Sequence, residues 1–298
     1  MSAAAFGVGR GRDKVRNAIH VGLTAILFPG QGSQTPEMRD DVQRGRPDLL
    51  ELVTEIVGED PFPKAEEGTN YAQPAIFCAS LAGWERLGRP EGDLMAGHSL
   101  GELAALVAAG SLQERDGLEL VALRGRLMQE SGEAAGDGGM LALLGRGAAD
   151  HAPELAEAHG LSVANDNSPQ QVVLSGDKSA LPGAADGAKE LGLRAVELSV
   201  SGAFHSPMMA AAVPEFEKAL KQVKISPPRV EVLSAVTAEP FTDVAAQLTE
   251  ALTSPVRWRE TLIAMHDRGA DRFVEVGPGR VLSGLVKRTL SDVELASA

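Results

Sequence analysis

The sequence predicts an α/β protein: a mostly parallel sheet with helices on both faces, and a smaller subdomain inserted in the middle. Three observations predict it. Short apolar runs alternate with helix-length segments along most of the chain, the pattern that buries a parallel sheet between helices. Over residues 138–201 the order changes to strand, helix, strand, strand, helix, strand, which is the ferredoxin-like signature. Residues 97–101 read Gly-His-Ser-Leu-Gly between an apolar run and an Ala-rich helix, the G-x-S-x-G turn of an α/β-hydrolase-like core.

Taken in order, residues 1–20 are basic and Gly-rich and read as a disordered leader. Leu23–Phe28 is a buried strand stopped by Pro29-Gly30. Helices follow at Pro47–Val57 and at Gln73–Leu87, the second starting near Pro74. The strand Asp93–Ala96 leads through the serine turn into a helix, Glu102–Ala109, closed by Gly110. A helix over Glu114–Glu130 precedes a Gly- and acid-rich linker, Ser131–Gly139.

The insert then reads as strand Met140–Leu144, helix Ala148–His159, strands Leu161–Ala164 and Gln171–Gly176 around a turn, helix Ser179–Leu191 and strand Arg194–Leu198. The core resumes with helix Pro207–Gln222, strand Val230–Ser234, helix Val256–Arg268, strand Arg272–Val276 and a closing helix after Gly277-Pro278-Gly279. The C-terminal Ser297-Ala298 reads as a frayed tail. The core is thus expected over 21–137 and 202–298.

Composition excludes several classes. A formal net charge of −13 lacks the basic footprint a phosphate backbone needs, so nucleic acid is not expected as a partner. No apolar run approaches the ~20 residues that span a bilayer, and the basic start has no apolar core of a secretory signal. The single cysteine, Cys78, rules out an internal disulfide and fits a reducing cytoplasm. No long exposed apolar stretch calls for a second copy, so a monomer is expected.

The chemistry centres on Ser99. On a strand-to-helix turn its hydroxyl is either a helix cap or a nucleophile beside unpaired N–H groups that favour negative charge. A nucleophile needs a base. His20 lies in the leader, and His151, His159 and His266 lie on helices with polar neighbours and read as solvated. His98 adjoins Ser99, where adjacent side chains diverge, and reads as shaping the turn. His205, in Gly202-Ala203-Phe204-His205-Ser206-Pro207, is either a loop residue capping a helix or the base.

Two further features stand out. Phe28-Pro29-Gly30-Gln31-Gly32-Ser33-Gln34 ends the first strand, where α/β sheets gather their ligand loops. Its N–H groups can form half of an oxyanion hole, with the N–H of Leu100 as the other half; it lacks the lysine of a phosphate loop. Arg124 sits on the helix after the serine helix, either as a surface residue or as a planar fork for a carboxylate. Arg126, two residues on, faces elsewhere.

These segments together resemble the malonyl-CoA:acyl carrier protein transacylase family and the related acyltransferase domains of polyketide synthases. The Phe28–Gln34 heptapeptide, Gly97–Glu102, Arg124-Gly125 before Met128-Gln129, Asn165-Asp166-Asn167-Ser168-Pro169, Gly202–Ser206, Ser254-Pro255-Val256-Arg257-Trp258 and Glu275–Gly279 fall in the family's order, over about residues 23–290.

The resemblance implies a malonyl transfer from malonyl-CoA to the phosphopantetheine thiol of acyl carrier protein, with Ser99 as nucleophile and His205 as general base and then acid. It implies an oxyanion hole from the N–H groups of Gln31 and Leu100, and Arg124 on the malonyl carboxylate. It implies that a backbone carbonyl, from the residue matching Arg257, orients His205; many members have glutamine there. Asn165 and Asn167 match residues lining the gap between core and insert, and Asp166 stands where an apolar residue is common. Phe204 resembles the malonyl-type pattern, which leaves little room for an α-methyl branch. No metal or cofactor is implied, the CoA thioester being a substrate. Arg257, Arg259, Arg280, Lys287 and Arg288 are candidates for a basic patch that docks an acidic carrier. An acyl hydrolase or esterase on the same scaffold, and a trans-acting polyketide acyltransferase, are the alternatives; Arg124 and the missing third carboxylate favour transfer over hydrolysis.

Overall fold

A computed structural model describes residues 22–297; the leader read over 1–20 lies outside them. In chain order the elements are β1 (Leu23–Phe28), α1 (Met38–Gly45), α2 (Pro47–Val57), α3 (Thr69–Arg86), β2 (Leu94–Gly97), α4 (Gly101–Ala108), α5 (Glu114–Ala135), β3 (Gly138–Leu144), α6 (Ala148–Ala158), β4 (Ser162–Ser168), β5 (Gln171–Asp177), α7 (Leu181–Glu190), β6 (Arg194–Glu197), α8 (Val213–Leu220), β7 (Glu231–Leu233), α9 (Val244–Glu250), α10 (Trp258–Asp267), β8 (Ala270–Glu275), α11 (Val281–Thr289) and β9 (Glu294–Ser297).

The first sheet has the order β7-β2-β1-β8-β9, and every paired neighbour in it is parallel. Side chains alternate across a strand, and β1 shows what that does. Ile26 and Phe28 face the helices from α1 to α5, while Ala25 and Leu27 face α10 and α11 through Trp258, Leu262 and Leu285. A sheet buried on both sides has no polar face, which is why β1 and β2 read as plain apolar runs. The second sheet has the order β4-β5-β3-β6 with antiparallel neighbours. Leu141 and Leu143 of β3 pack under α6 and α7, and Met140 and Ala142 turn toward the main core.

Four expectations need correction. Helix α3 starts at Thr69, so Pro74 lies inside it. Its first turn is held from outside: Thr69 N–H donates to Gln129 Oε1 at 3.1 Å, and this long-range support leaves no local signal. The linker read over 131–139 is instead the last turn of α5, a two-residue turn and the start of β3. Ser297 of the Ser-Ala tail read as frayed is the last residue of β9, an edge strand parallel to β8, and Ala298 lies outside the described residues. Helices α1 and α9 were not foreseen; both are short.

The chain enters and leaves the small sheet through one narrow crossing. A Cβ at Gly132 would lie 2.4 Å from the Ser201 carbonyl oxygen, and one at Gly202 would lie 2.7 Å from Gly132 Cα. Only glycine permits backbones to approach so closely.

Candidate active site

The carboxyl ends of β1, β2, β7 and β8 share one edge of the parallel sheet, and the loops that follow them build the site. After β2 the chain turns abruptly at Ser99, whose φ is +53°. This left-handed conformation is uncommon for a residue with a Cβ and marks stored strain. The turn fits because its neighbours are glycines. A Cβ at Gly97 would lie 1.9 Å from the Gly101 carbonyl carbon, and one at Gly101 would lie 2.2 Å from the Phe28 oxygen. Helix α4 can therefore start directly behind the serine.

His205 is brought to Ser99 from the far side of the insert and also has a left-handed φ, +56°. Ser206 pins its loop, donating from Oγ to the Ala203 carbonyl at 2.7 Å. The Ser99 Oγ to His205 Nε2 distance is 2.8 Å. On the other side of the ring, His205 Nδ1 lies 2.9 Å from the Ala251 carbonyl oxygen. A carbonyl only accepts, so Nδ1 carries the proton and Nε2 is left to accept from the Ser99 hydroxyl.

This corrects the assignment of Arg257 as the source of the orienting carbonyl. The Arg257 carbonyl opens α10, where it accepts both the N–H and the hydroxyl of Thr261 at 2.9 Å. Ala251 sits just past the end of α9, where the last carbonyls have no partner within the helix. Burial, with Arg124 and His98 nearby, pushes the His205 imidazole down to about 3, so it stays neutral.

Arg124 is 3% exposed despite its charge. Its Nη2 donates to Ser99 Oγ at 3.2 Å and its Nη1 to Gln73 Oε1 at 2.8 Å. Burial lowers it to about 10, against the pull of Glu102, so it remains a cation at neutral pH. Arg126 points away and pairs with Glu130 and Glu215.

Gln73 holds the guanidinium and is held in turn. Its Nε2 donates to Thr69 Oγ1 at 2.9 Å, and Thr69 Oγ1 donates to Gln31 Oε1 at 2.8 Å. Sequence reasoning missed Gln73 and Ala251. The available signal for Gln73 was a polar residue within the apolar run of α3; for Ala251, whose backbone alone acts, there was none.

Among the described residues, the backbone N–H groups of Gln31 and Leu100 have no acceptor, and both residues line the cleft beside Ser99. The cleft encloses about 270 Å³ and lies between the two sheets. Its other walls include Phe204, Met140, Asn165, Leu198 and Val200. Asn167 does not line it. Its Oδ1 instead lies 2.8 Å from His98 Nε2, and the His98 ring meets Trp258 edge-on at 5.3 Å. His98 thus braces the turn. Burial lowers its imidazole below the ordinary range.

Glu102 opens α4 and is buried, with Oε1 accepting from Ala235 N–H at 2.7 Å and Ser234 Oγ at 3.2 Å. Burial raises it to about 7, against these hydrogen bonds and Arg124. Among the described residues, no cluster of three or more His, Cys, Asp or Glu could hold a metal ion, and no helix is long and apolar enough to cross a membrane.

A half-buried serine hydroxyl against a buried imidazole, free N–H donors and a cation share one cleft, an arrangement suited to acyl transfer. Comparisons agree. Residues 48–298 match the acyl transferase domain family. A malonyl CoA-acyl carrier protein transacylase of Haemophilus influenzae is 37% identical, covering 92% of this chain and 94% of its own. A polyketide biosynthesis protein of Burkholderia thailandensis is 39% identical over 91% of this chain, which spans only 24% of that longer protein. The crystal structure of an acyl carrier protein S-malonyltransferase from Vibrio cholerae superposes with a TM-score of 0.84, at 36% identity, covering 92% of this chain and 96% of that one. The chain belongs to the acyl transferase domain family, among the malonyl CoA-acyl carrier protein transacylases.

Proposed function

We propose that this protein transfers a malonyl group from malonyl-CoA to the phosphopantetheine thiol of acyl carrier protein, through a malonyl ester on Ser99. The observation that carries the proposal is the 2.8 Å contact of Ser99 Oγ with the one imidazole nitrogen left free to accept. His205 takes the hydroxyl proton as Ser99 attacks the thioester carbonyl. The N–H groups of Gln31 and Leu100 stabilise the oxyanion, where loss of one donor typically costs about 10²–10³ in rate. His205 returns the proton to the departing CoA thiolate. The carrier thiol then attacks the ester by the same steps in reverse, a ping-pong sequence. Every proton and charge is handled by this chain's own groups, with the CoA thioester as substrate and no cofactor.

We read the core, residues 21–137 and 202–298, as α/β-hydrolase-like and residues 138–201 as a ferredoxin-like subdomain; the order β4-β5-β3-β6 supports the second assignment. The protein acts as a monomer in the cytoplasm, and its single, buried Cys78 accords with a reducing compartment.

Brief incubation with malonyl-CoA in the absence of carrier should add one malonyl mass to the peptide bearing Ser99. Turnover with Ser99 unmodified, or release of free malonate in place of malonyl-carrier, would overturn the proposal.

Phe204 sits in the cleft wall beside His205 and is itself 6% exposed. We infer that a branch at the α-carbon would crowd this ring. Malonyl-CoA is expected to exceed methylmalonyl-CoA in kcat/KM by about tenfold or more, and Phe204→Ala to narrow the ratio. Comparable values in the parent enzyme would remove Phe204 as the selector.

Carrier docking is assigned to Arg280, Lys287 and Arg288. All three are exposed, and none has a carboxylate within ion-pair distance among the described residues. The segment before Arg280 lies on the cleft loop, since a Cβ at Gly279 would stand 2.8 Å from the Ser33 oxygen. Arg257 and Arg259 leave the patch: they pair with Glu260 and Asp166. Charge reversal at Lys287 and Arg288 is expected to raise the KM for carrier about fivefold or more. An unchanged KM would place docking elsewhere.

A further inference from the structure

Strand β4 lies at the edge of the small sheet, and its outer side is covered by the core. Val256 N–H donates to the Ala164 carbonyl at 2.8 Å, and Asp166 N–H donates to the Val256 carbonyl at 2.9 Å. The two make a parallel bridge between Asn165 and Val256. The pairing of β4 with β5 is irregular on both sides of this point, between Val163 and Asn165 and again between Asp166 and Ser168. Such bulges re-aim side chains, and here three successive residues turn to the core. Asn165 lines the cleft, Asn167 meets His98, and Asp166 meets Arg259.

The Asp166–Arg259 contact is forked. Nε lies 2.9 and 3.0 Å from the two carboxylate oxygens, and Nη2 lies 2.7 Å from Oδ2. The side chains are 16% and 30% exposed. Forked geometry with restricted water access places the pair above ordinary surface ion pairs. The core side of the seam is anchored as well. Arg257 N–H donates to the Ala235 carbonyl at 2.7 Å, and Ala235 N–H donates to Glu102, three residues after Ser99. A continuous set of hydrogen bonds therefore runs from the serine helix to β4.

We propose that the Asp166–Arg259 pair is a latch that fixes the small subdomain against the core and so sets the width of the acyl cleft. Asn165, Met140 and Val200 form the insert's side of that cleft, and Ser99, Arg124 and His205 form the other. Asp166 and Arg259 touch no substrate. They are positioning residues, and they act on how tightly the acyl-CoA is gripped more than on the proton transfer between Ser99 and His205. The effect on acyl-CoA rests on the transacylase reading; the effect on the seam does not.

The test is a double-mutant cycle on the full chain with Asp166→Asn, Arg259→Gln and both together. Two readouts are followed: hydrogen exchange at the amides of Asp166 and Val256, and KM and kcat for the malonyl-CoA half-reaction. Each single variant is expected to speed exchange at both amides and to raise KM about fivefold, the scale of one partly buried forked pair, with kcat within about twofold. The double variant should match the singles rather than multiply them, because one interaction is lost in all three. Unchanged exchange in the singles, multiplicative effects in the double, or a fall in kcat with KM constant would each overturn the latch. A parent enzyme that forms no ester on Ser99 would instead sink the transacylase reading, and exchange at the seam would then decide the latch alone.

Discussion

His205→Ala is expected to slow esterification of Ser99 about a millionfold, the scale seen when a serine nucleophile loses its base. The expectation follows from the tautomer. With Nδ1 held by the Ala251 carbonyl, Nε2 is the acceptor that Ser99 Oγ meets. Rapid-quench measurement of malonyl-enzyme formation reads the loss directly, and a loss under tenfold would take the base role from His205.

The same residue sets a pH signature. Burial holds its imidazole down at about 3, against an ordinary 6.5. The base therefore stays competent in acid, and the acid limb of kcat/KM should fall below pH 6.5. Stability carries the matching sign. Between pH 6.5 and about 3 the unfolded chain binds a proton that the folded chain refuses, so stability is lost as pH falls through that window. His205→Ala should flatten this part of the decline. An acid limb at or above pH 6.5 would contradict the buried, neutral imidazole.

Arg124→Ala is expected to lower kcat/KM for malonyl-CoA about a hundredfold or more, because a buried carboxylate loses the one Lys or Arg that lines the cleft among the described residues. Acetyl-CoA has no carboxylate to strand, so its slow transfer should change by no more than about threefold. Arg124→Lys keeps the charge but not the fork, and should fall between. Steady-state kinetics on both thioesters separate the cases. Equal losses on malonyl and acetyl would mean that Arg124 serves Ser99 Oγ, 3.2 Å away, and not the acyl group.

The parts of this protein legible in its sequence are those where local chemistry is restrictive. The serine turn could be read because two glycines are required by contacts of about 2 Å. Strands β1, β2, β7 and β8 could be read because both their faces are buried, and α2 because its apolar stripe marks it out. The failures share the opposite property. The Ala251 carbonyl acts through backbone that any residue supplies. The first turn of α3 depends on Gln129, some sixty residues away in sequence, and β9 depends on an edge offered by β8. Asp166 looked merely unusual until folding set Arg259 against it.

The crossing at Gly132 and Gly202 has a consequence for how substrate choice can drift. Phe204 and His205 are the second and third residues beyond Gly202, so a methyl group wedged into that crossing would push directly on the wall and the proton acceptor of the cleft. Selection for a different acyl chain could therefore work at this neck, on residues that never meet the substrate, and leave the guanidinium fork untouched.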